Sequence, residues 1–313
     1  MPFSRSQGIF FAGSSHPILA AEIAQLLQVP LGQIHLSRFP DGEIAVQILE
    51  DVQGRVAFVL QSVALDPNFY FMELMIIIDA LKRASAKDIV AVIPYFGYCR
   101  QDRKDKPRVP ITAKLAANLL VRAGATRILA VDLHTGQLQG FFDIPIDHML
   151  GCSPLLKQIQ EKQLNDCIVV APDIGSVKIA RAFAHRLKTN FAAVYKQPVN
   201  IEASSVTLIG DVKGKDVLLA DDMCSTGATL ASAAKACQEK GAKRIFSAVT
   251  HGLCVDGAVE CLEACPLETL WMTNTIPYSD RLMGTHKIES VSVAPLLAHA
   301  ICCIAENKAL SFF

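Results

Sequence analysis

The chain has 313 residues, 51% hydrophobic and 19% charged, which is material for two domains with cores of their own. Its 30 lysines and arginines balance 30 aspartates and glutamates, so no overall field favours nucleic acid or an anionic membrane, and basic residues have to be read where they cluster. The richest apolar run, Leu74-Met75-Ile76-Ile77-Ile78, stops at Asp79, short of a membrane span, the N-terminal residues lack a secretory pattern, and the ten cysteines contain no C-x-x-C pair; a cytoplasmic protein with reduced thiols is expected.

In chain order, Ile9-Phe10-Phe11-Ala12 reads as a strand, and Pro17 opens a helical pattern over residues 18–27. His16, at the turn between them, reads as a polar loop residue. Residues 36–48 form two strand-like runs around Pro40-Asp41-Gly42, a hairpin that presents Phe39, Asp41 and Glu43. An exposed aromatic beside two acceptors suits a nucleobase; an ordinary turn with a packed Phe39 fits the same residues and is favoured by this stretch alone. After a strand over 55–62, Phe71, Leu74, Met75, Ile78 and Leu81 recur at helical spacing as a core face.

A strand over 88–94 ends in the most unusual segment, Tyr95-Phe96-Gly97-Tyr98-Cys99-Arg100-Gln101-Asp102-Arg103-Lys104-Asp105-Lys106-Pro107-Arg108. Five basic residues and two acids follow an aromatic cluster there. A solvated charge run has this composition. The aromatics, and the amphipathic helix that resumes over 112–122, tilt it toward a polyphosphate or nucleotide contact, because guanidinium forks match phosphate oxygens and stack on bases. Residues 127–134 then read as a strand ending in Asp132 and His134, at the end of the sheet where α/β folds bind ligands; a structural histidine is the commoner case. Residues 136–145 are a turn-rich connection.

Gly151-Cys152-Ser153-Pro154 breaks the pattern and marks a domain boundary. A second series follows: a strand over 167–173 ending in Asp173, a helix over 177–187, a strand over 191–195, an irregular 196–205, further strands at 244–251, 269–273 and 288–293, and a helix over 296–306. Within it, Val217-Leu218-Leu219-Ala220 runs into Asp221 and Asp222, then through Ser225-Thr226-Gly227-Ala228-Thr229 into a helix. The unpaired N–H groups of a helix start suit an anion, and the two acids suit sugar hydroxyls or a metal; a βα loop with no ligand fits equally well. Strands alternating with helices give an α/β fold of mainly parallel sheets flanked by helices. Acids at strand ends in both halves, Asp132 and Asp221, hint at a duplicated domain.

Taken together, Phe39-Pro40-Asp41-Gly42-Glu43, Tyr98-Cys99-Arg100-Gln101-Asp102, Asp132-Leu133-His134, Gln139-Gly140-Phe141-Phe142, Pro172-Asp173 and residues 221–229 have the order and approximate spacing of the ribose-phosphate pyrophosphokinase (phosphoribosyl pyrophosphate synthetase) family, which the sequence resembles over essentially its whole length. Residues 221–229 also resemble the wider type I phosphoribosyltransferase fingerprint. The resemblance implies two duplicated type I phosphoribosyltransferase-like domains. Residues 1–150, joined by a C-terminal helix at 295–313, would form the ATP side, and 151–294 the ribose 5-phosphate side. The reaction implied is transfer of the diphosphoryl group of Mg-ATP to the anomeric hydroxyl of ribose 5-phosphate, giving AMP and 5-phosphoribosyl 1-diphosphate, in a homodimer or homohexamer. Phe39, Asp41, Gly42, Glu43, Arg100, Gln101 and Asp102 would bind ATP, and Asp221, Asp222, Ser225, Thr226, Gly227, Ala228 and Thr229 the ribose 5-phosphate. His134 and Asp173 would bind Mg2+, and Lys196, on a mobile loop, would stabilise charge on the transferring group.

Four positions depart from that pattern. Pro198 stands where an arginine usually follows the loop lysine, Ser225 where many members have an acid, and Asp51 and Gln53 where phosphate-regulated members have a serine and an arginine. Activation by phosphate and inhibition by ADP are therefore expected to be weak or absent. The missing arginine leaves a non-catalytic regulatory homologue as an alternative, and the C-terminal fingerprint leaves a phosphoribosyltransferase that consumes the diphosphate.

Overall fold

A computed structural model describes residues 3–4, 6–200, 203–255, 257–278, 282 and 284–310, excepting the side chains of 196–200 and 203–206. The chain divides into two compact units. The first runs through Leu150 and takes in Thr275–Pro277 and the described residues from Val293 onward; the second is Gly151–Asn274 with Tyr278–Ser292.

The first unit opens with β1 (Ile9–Ala12), α1 (Pro17–Leu27), the hairpin strands β2 (Ile34–Arg38) and β3 (Ile44–Ile48), and β4 (Val56–Leu60). It continues with α2 (Pro67–Arg83), β5 (Asp88–Ile93), α3 (Thr112–Ala123), β6 (Arg127–Val131), a 3-10 turn at Gly136–Phe141 and β7 (Ile146–Met149). Its sheet is parallel, in the order β1-β4-β5-β6-β7, with the antiparallel β2–β3 pair as a separate ribbon. The central strands are apolar on both faces, as burial between helix layers requires. β7 escapes the sequence pattern because Asp147 and His148 interrupt a four-residue strand.

His16 is a helix cap instead of a polar loop residue. It is buried, and its Nδ1 accepts from the Leu19 N–H at 3.3 Å, with Pro17 filling the first turn of α1. On α2 the buried face is Phe71, Glu73, Leu74, Ile77, Ile78 and Leu81, with Met75 only half-buried. The stripe is thus rotated slightly from the expected one and includes a carboxylate.

The second unit contains α4 (Cys152–Glu161), β8 (Ile168–Ala171), α5 (Val177–Leu187), β9 (Phe191–Asn200), β10 (Ala203–Ile209) and β11 (Asp216–Cys224). Then come α6 (Ala228–Glu239), β12 (Arg244–Gly252), α7 (Ala258–Glu263), β13 (Thr269–Thr273) and β14 (Ile288–Val291). The sheet order is β10-β9-β8-β11-β12-β13-β14, parallel except for the β9–β10 ribbon. Trp271 stacks on Phe246 at 5.5 Å in its interior.

The segment 196–205, expected to be irregular, is mostly strand. Lys196 pairs with Val206 and Pro198 with Ser204. The β-branched residues of Val206-Thr207-Leu208-Ile209 supply a good partner strand. Pro198 is tolerated because β9 leaves β8 after Ala193, so one edge of the ribbon needs no N–H. The side chains of Lys196 and Pro198 lie outside the described residues.

The chain then returns to the first unit as α8 (Ala294–Ala305), whose Leu297 and Ile301 share one apolar cluster with Leu19, Ile23 and Leu27 of α1. Among the described residues no helix is long and apolar enough to cross a membrane.

Candidate active-site segments

In the second unit β11 continues through both acids to Cys224, beyond the apolar run that marks it in the sequence. Asp221 and Asp222 are both buried, and the Asp222 N–H donates to Asp221 Oδ1 at 2.9 Å. Burial pushes the Asp221 carboxyl up to about 8, and the neighbouring Asp222 and Asp173 carboxylates push in the same direction. Asp173 is held by Ser176, whose N–H and Oγ donate to its Oδ1 at 3.1 and 3.0 Å. Three carboxylates converge where β8 and β11 end, and such a site favours hydroxyl donors or a cation.

Beyond them Gly227 precedes α6 with φ +76, a conformation that disfavours any side chain; a Cβ there would lie 3.1 Å from Leu262 Cγ and 3.2 Å from the Ala258 carbonyl oxygen. The N-cap is Gly227, which has no capping side chain, and only a long contact from Ala228 N–H to Thr226 Oγ1 at 3.4 Å occupies the first turn, so the positive end of the helix suits an anion beside the small residues Ser225, Thr226 and Ala228. Thr226 and Ala228 are exposed, and Ser225 and Thr229 half-buried. The loop after β12 laces onto this segment: Leu253 and Cys254 both donate to the Cys224 carbonyl, at 2.9 and 3.1 Å, and Val255 donates to Ser225 at 2.9 Å.

In the first unit the β2–β3 turn closes through Phe39 N–H to the Glu43 carbonyl and Gly42 N–H to the Phe39 carbonyl, both at 2.8 Å, with Asp41 Oδ1 accepting from Glu43 N–H at 3.2 Å. Phe39 is 55% exposed, so the packed phenylalanine of an ordinary turn is not what forms; the ring stands free with Asp41 and Glu43 exposed beside it. Next to it the Arg38 guanidinium lies 3.9 Å over the Phe69 ring.

Arg100 and Gln101 are exposed and, with Arg103, Asp105, Val109 and Pro110, line a cavity of about 310 Å³. Gln101 Oε1 accepts from the Thr112 hydroxyl at the start of α3. Asp102 differs from its neighbours: it is buried and accepts from Thr135 Oγ1 at 2.8 Å and Gln137 Nε2 at 3.2 Å, anchoring the 3-10 turn.

β6 stops at Val131, so Asp132, Leu133 and His134 form a turn past the strand, with Asp132 at φ +33 and His134 half-buried. His148 on β7 holds this turn. Its Nε2 accepts from the Leu133 N–H at 3.0 Å and lies 3.7 Å from Asp132 Oδ1. Nothing in the sequence marked His148, since it sits in a strand that has no apolar alternation.

Among the described residues no group of three or more histidines, cysteines and acids forms a metal cage. Magnesium commonly takes only one or two protein ligands and completes its shell with waters and phosphates. The crowded carboxylates around Asp173 and Asp221 fit an ion of that kind.

The chain is 47% identical over 302 residues to ribose-phosphate pyrophosphokinase of Wolinella succinogenes, an alignment that covers 96% of this chain and 97% of that protein. It belongs to the ribose-phosphate pyrophosphokinase family. The enzyme of Clostridium perfringens is 48% identical over 305 residues, with 96% and 95% of the two chains covered. The family's two domain models match in turn: the N-terminal domain of ribose phosphate pyrophosphokinase over residues 9–124, and the phosphoribosyl synthetase-associated domain over 196–313. The crystal structure of phosphoribosylpyrophosphate synthetase from Mycobacterium smegmatis superposes with a TM-score of 0.91 at 43% identity, covering 96% of this chain and 99% of that one.

Proposed function

We propose that this member of the pyrophosphokinase family transfers the diphosphoryl group of Mg-ATP to the anomeric hydroxyl of ribose 5-phosphate, forming AMP and 5-phosphoribosyl 1-diphosphate. The observation that carries the assignment on this chain is the buried Asp221–Asp222 pair beside the glycine-capped start of α6. The carboxylates accept from the ribose hydroxyls, while the loop N–H groups and the hydroxyls of Ser225, Thr226 and Thr229 take the 5-phosphate. The first unit takes ATP, with Phe39 stacking on the base, Asp41 and Glu43 accepting from its amine, and Arg100 and Gln101 on the phosphates. Asp102 acts by anchoring the 3-10 turn that follows His134.

The anomeric oxygen attacks the β-phosphorus in line as the bond to the α-phosphate oxygen breaks, and Lys196 stabilises charge on the group in flight. His134 and Asp173 are the candidate ligands for magnesium, which when bound neutralises the phosphates. The retained acids and Lys196 favour a working enzyme over a non-catalytic homologue, and the exposed Phe39 turn favours a synthetase over a phosphoribosyltransferase that needs only the second unit. A cytoplasmic homodimer or homohexamer is part of this reading.

Incubation of the purified chain with Mg-ATP and ribose 5-phosphate should give equal amounts of AMP and sugar diphosphate; a folded protein with no turnover would sink the assignment. Lys196→Ala should lower kcat by about 10²–10³ with little change in either KM, as expected for a group acting on the transition state. Asp51 Oδ1 caps its own exposed turn by accepting from Gln53 N–H at 3.0 Å, an anionic feature unsuited to phosphate. Initial rates measured across a phosphate titration should accordingly stay nearly flat, and strong activation would overturn that part.

A further inference from the structure

Cys224 and Cys254 are buried together in the apolar core of the second unit. The Cys254 N–H donates to the Cys224 carbonyl at 3.1 Å. Adding the covalent bonds on either side keeps the two Cα atoms within about 7 Å at full extension, and any bend at the oxygen brings them into the range a disulfide spans. The two thiols are close enough that each shifts the other's affinity for its proton. Cys224 ends β11 immediately before Ser225, the start of the segment which, on the reading above, binds the 5-phosphate. Cys254 sits at φ +39, a strained value for a residue with a side chain, and Val255 beside it is exposed, so the buried thiol lies one residue from the surface.

We propose that Cys224 and Cys254 are a disulfide-forming pair, and that joining them disables the sugar-phosphate loop. The oxidant is a peroxide. The Cys254 thiolate attacks one oxygen of hydrogen peroxide, the O–O bond breaks, and the leaving hydroxide takes up a proton, leaving a sulfenic acid. Cys224 then attacks the Cys254 sulfur, the S–O bond breaks, and a second water leaves. Two thiols and one peroxide become one disulfide and two waters. The interaction of the two thiols raises Cys224 and lowers Cys254, which makes Cys254 the readier thiolate. Once bonded, the loop after β12, already hydrogen-bonded to Cys224 and Ser225, is tied covalently to the phosphate segment and can no longer move independently of it. A thiol reductant reverses the change.

The test treats the full chain with hydrogen peroxide, alkylates the remaining thiols, digests without reductant and identifies linked peptides by mass. The expected product is a Cys224–Cys254 peptide pair lighter by two hydrogens. In parallel, KM for ribose 5-phosphate should rise by about fivefold or more and recover with dithiothreitol, while KM for ATP stays put. Cys254→Ala should keep the untreated kinetics and lose both responses; Cys254→Ser serves if the alanine variant folds poorly. Recovery of both cysteines in alkylated form after treatment, or a cross-link with no change in KM, would overturn the proposal. Because the cross-link is read by mass, a failure of the ribose 5-phosphate assignment is seen separately, as untreated protein that does not bind the sugar.

Discussion

Asp216 and Asp221 lie on the same strand, β11, and are solved in opposite ways. Asp216 is fully buried, but Arg244 Nε donates to its Oδ1 at 3.0 Å and Asn165 N–H to its Oδ2 at 2.7 Å. The Arg244 hydrogen bond holds this carboxyl below the usual range against the opposing effect of burial. Asp221 has no cation among the causes of its shift and is pushed up. One acid is completed by the fold; the other is left for a ligand. Because the Asp216 value is depressed, the unfolded chain takes up the proton first as pH falls. Its stabilisation is full above about pH 4, the unfolded value, and is lost as pH falls through the lower native value. Arg244→Ala should cost about 3 kcal/mol at pH 7, since it strands a buried carboxylate, and the cost should shrink below pH 4. Urea unfolding at neutral and acid pH measures both; an equal loss at the two would remove the ion pair from the account.

At the level of elements, the segment from β11 into α6 was legible because its parts are local: an apolar run, two acids, small residues, a glycine and a helix former. The extension of β11 through the acids was not, because aspartate disfavours strands and only pairing with β12 through Asp221, Met223 and Cys224 holds it there. β7, α7 and the role of His148 were hidden for a similar reason: each is short and defined by contacts distant in sequence. Phe39 was read toward burial by residue type, and only the hairpin geometry shows it standing free. Gly227 tests the element. Gly227→Ala places a methyl group at φ +76 against Leu262, costing about 1–2 kcal/mol for the backbone and forcing α7 to shift. Initial-rate kinetics should show KM for ribose 5-phosphate rising by about tenfold with KM for ATP unchanged, while far-UV dichroism stays native. Equal effects on both substrates would argue against a phosphate loop at this helix start.

On the scale of the whole molecule, the two sheets repeat one plan residue by residue. Ile9 pairs with Ala57 as Ile168 pairs with Val217, Val90 with Arg127 as Phe246 with Thr269, and Ile128 with Ile146 as Leu270 with Ile288. An antiparallel ribbon falls between the first two of these strands in each unit. The duplication is real, but the acids that suggested it are not equivalent: Asp132 matches Asn274, each donating its N–H to the last residue of the neighbouring strand, and Asp221 matches Gln61. Carried just past the strand ends, this register sets Ser62 against Asp222 and Ser14 against Asp173, and at the helix starts the N-cap Asp66 of α2 corresponds to the N-cap Gly227 of α6. The first unit fills the equivalent place with its own groups. Glu73 accepts from Ser14 N–H at 2.7 Å, Ser14 Oγ at 2.8 Å and Gln61 Nε2 at 2.7 Å, and Asp66 caps α2 by accepting from Phe69 N–H at 3.3 Å. A carboxylate is thus built in at the start of that helix, where a phosphate would meet repulsion instead of open N–H groups. Calorimetric titration of ribose 5-phosphate without nucleotide should therefore saturate at one sugar per chain, despite two copies of the fold. Asp222→Asn should weaken that binding by about tenfold or more, whereas Asp66→Asn, which keeps a capping oxygen, should leave it unchanged. A stoichiometry of two, or loss of binding on changing Asp66, would mean that the first unit kept a sugar-phosphate site of its own.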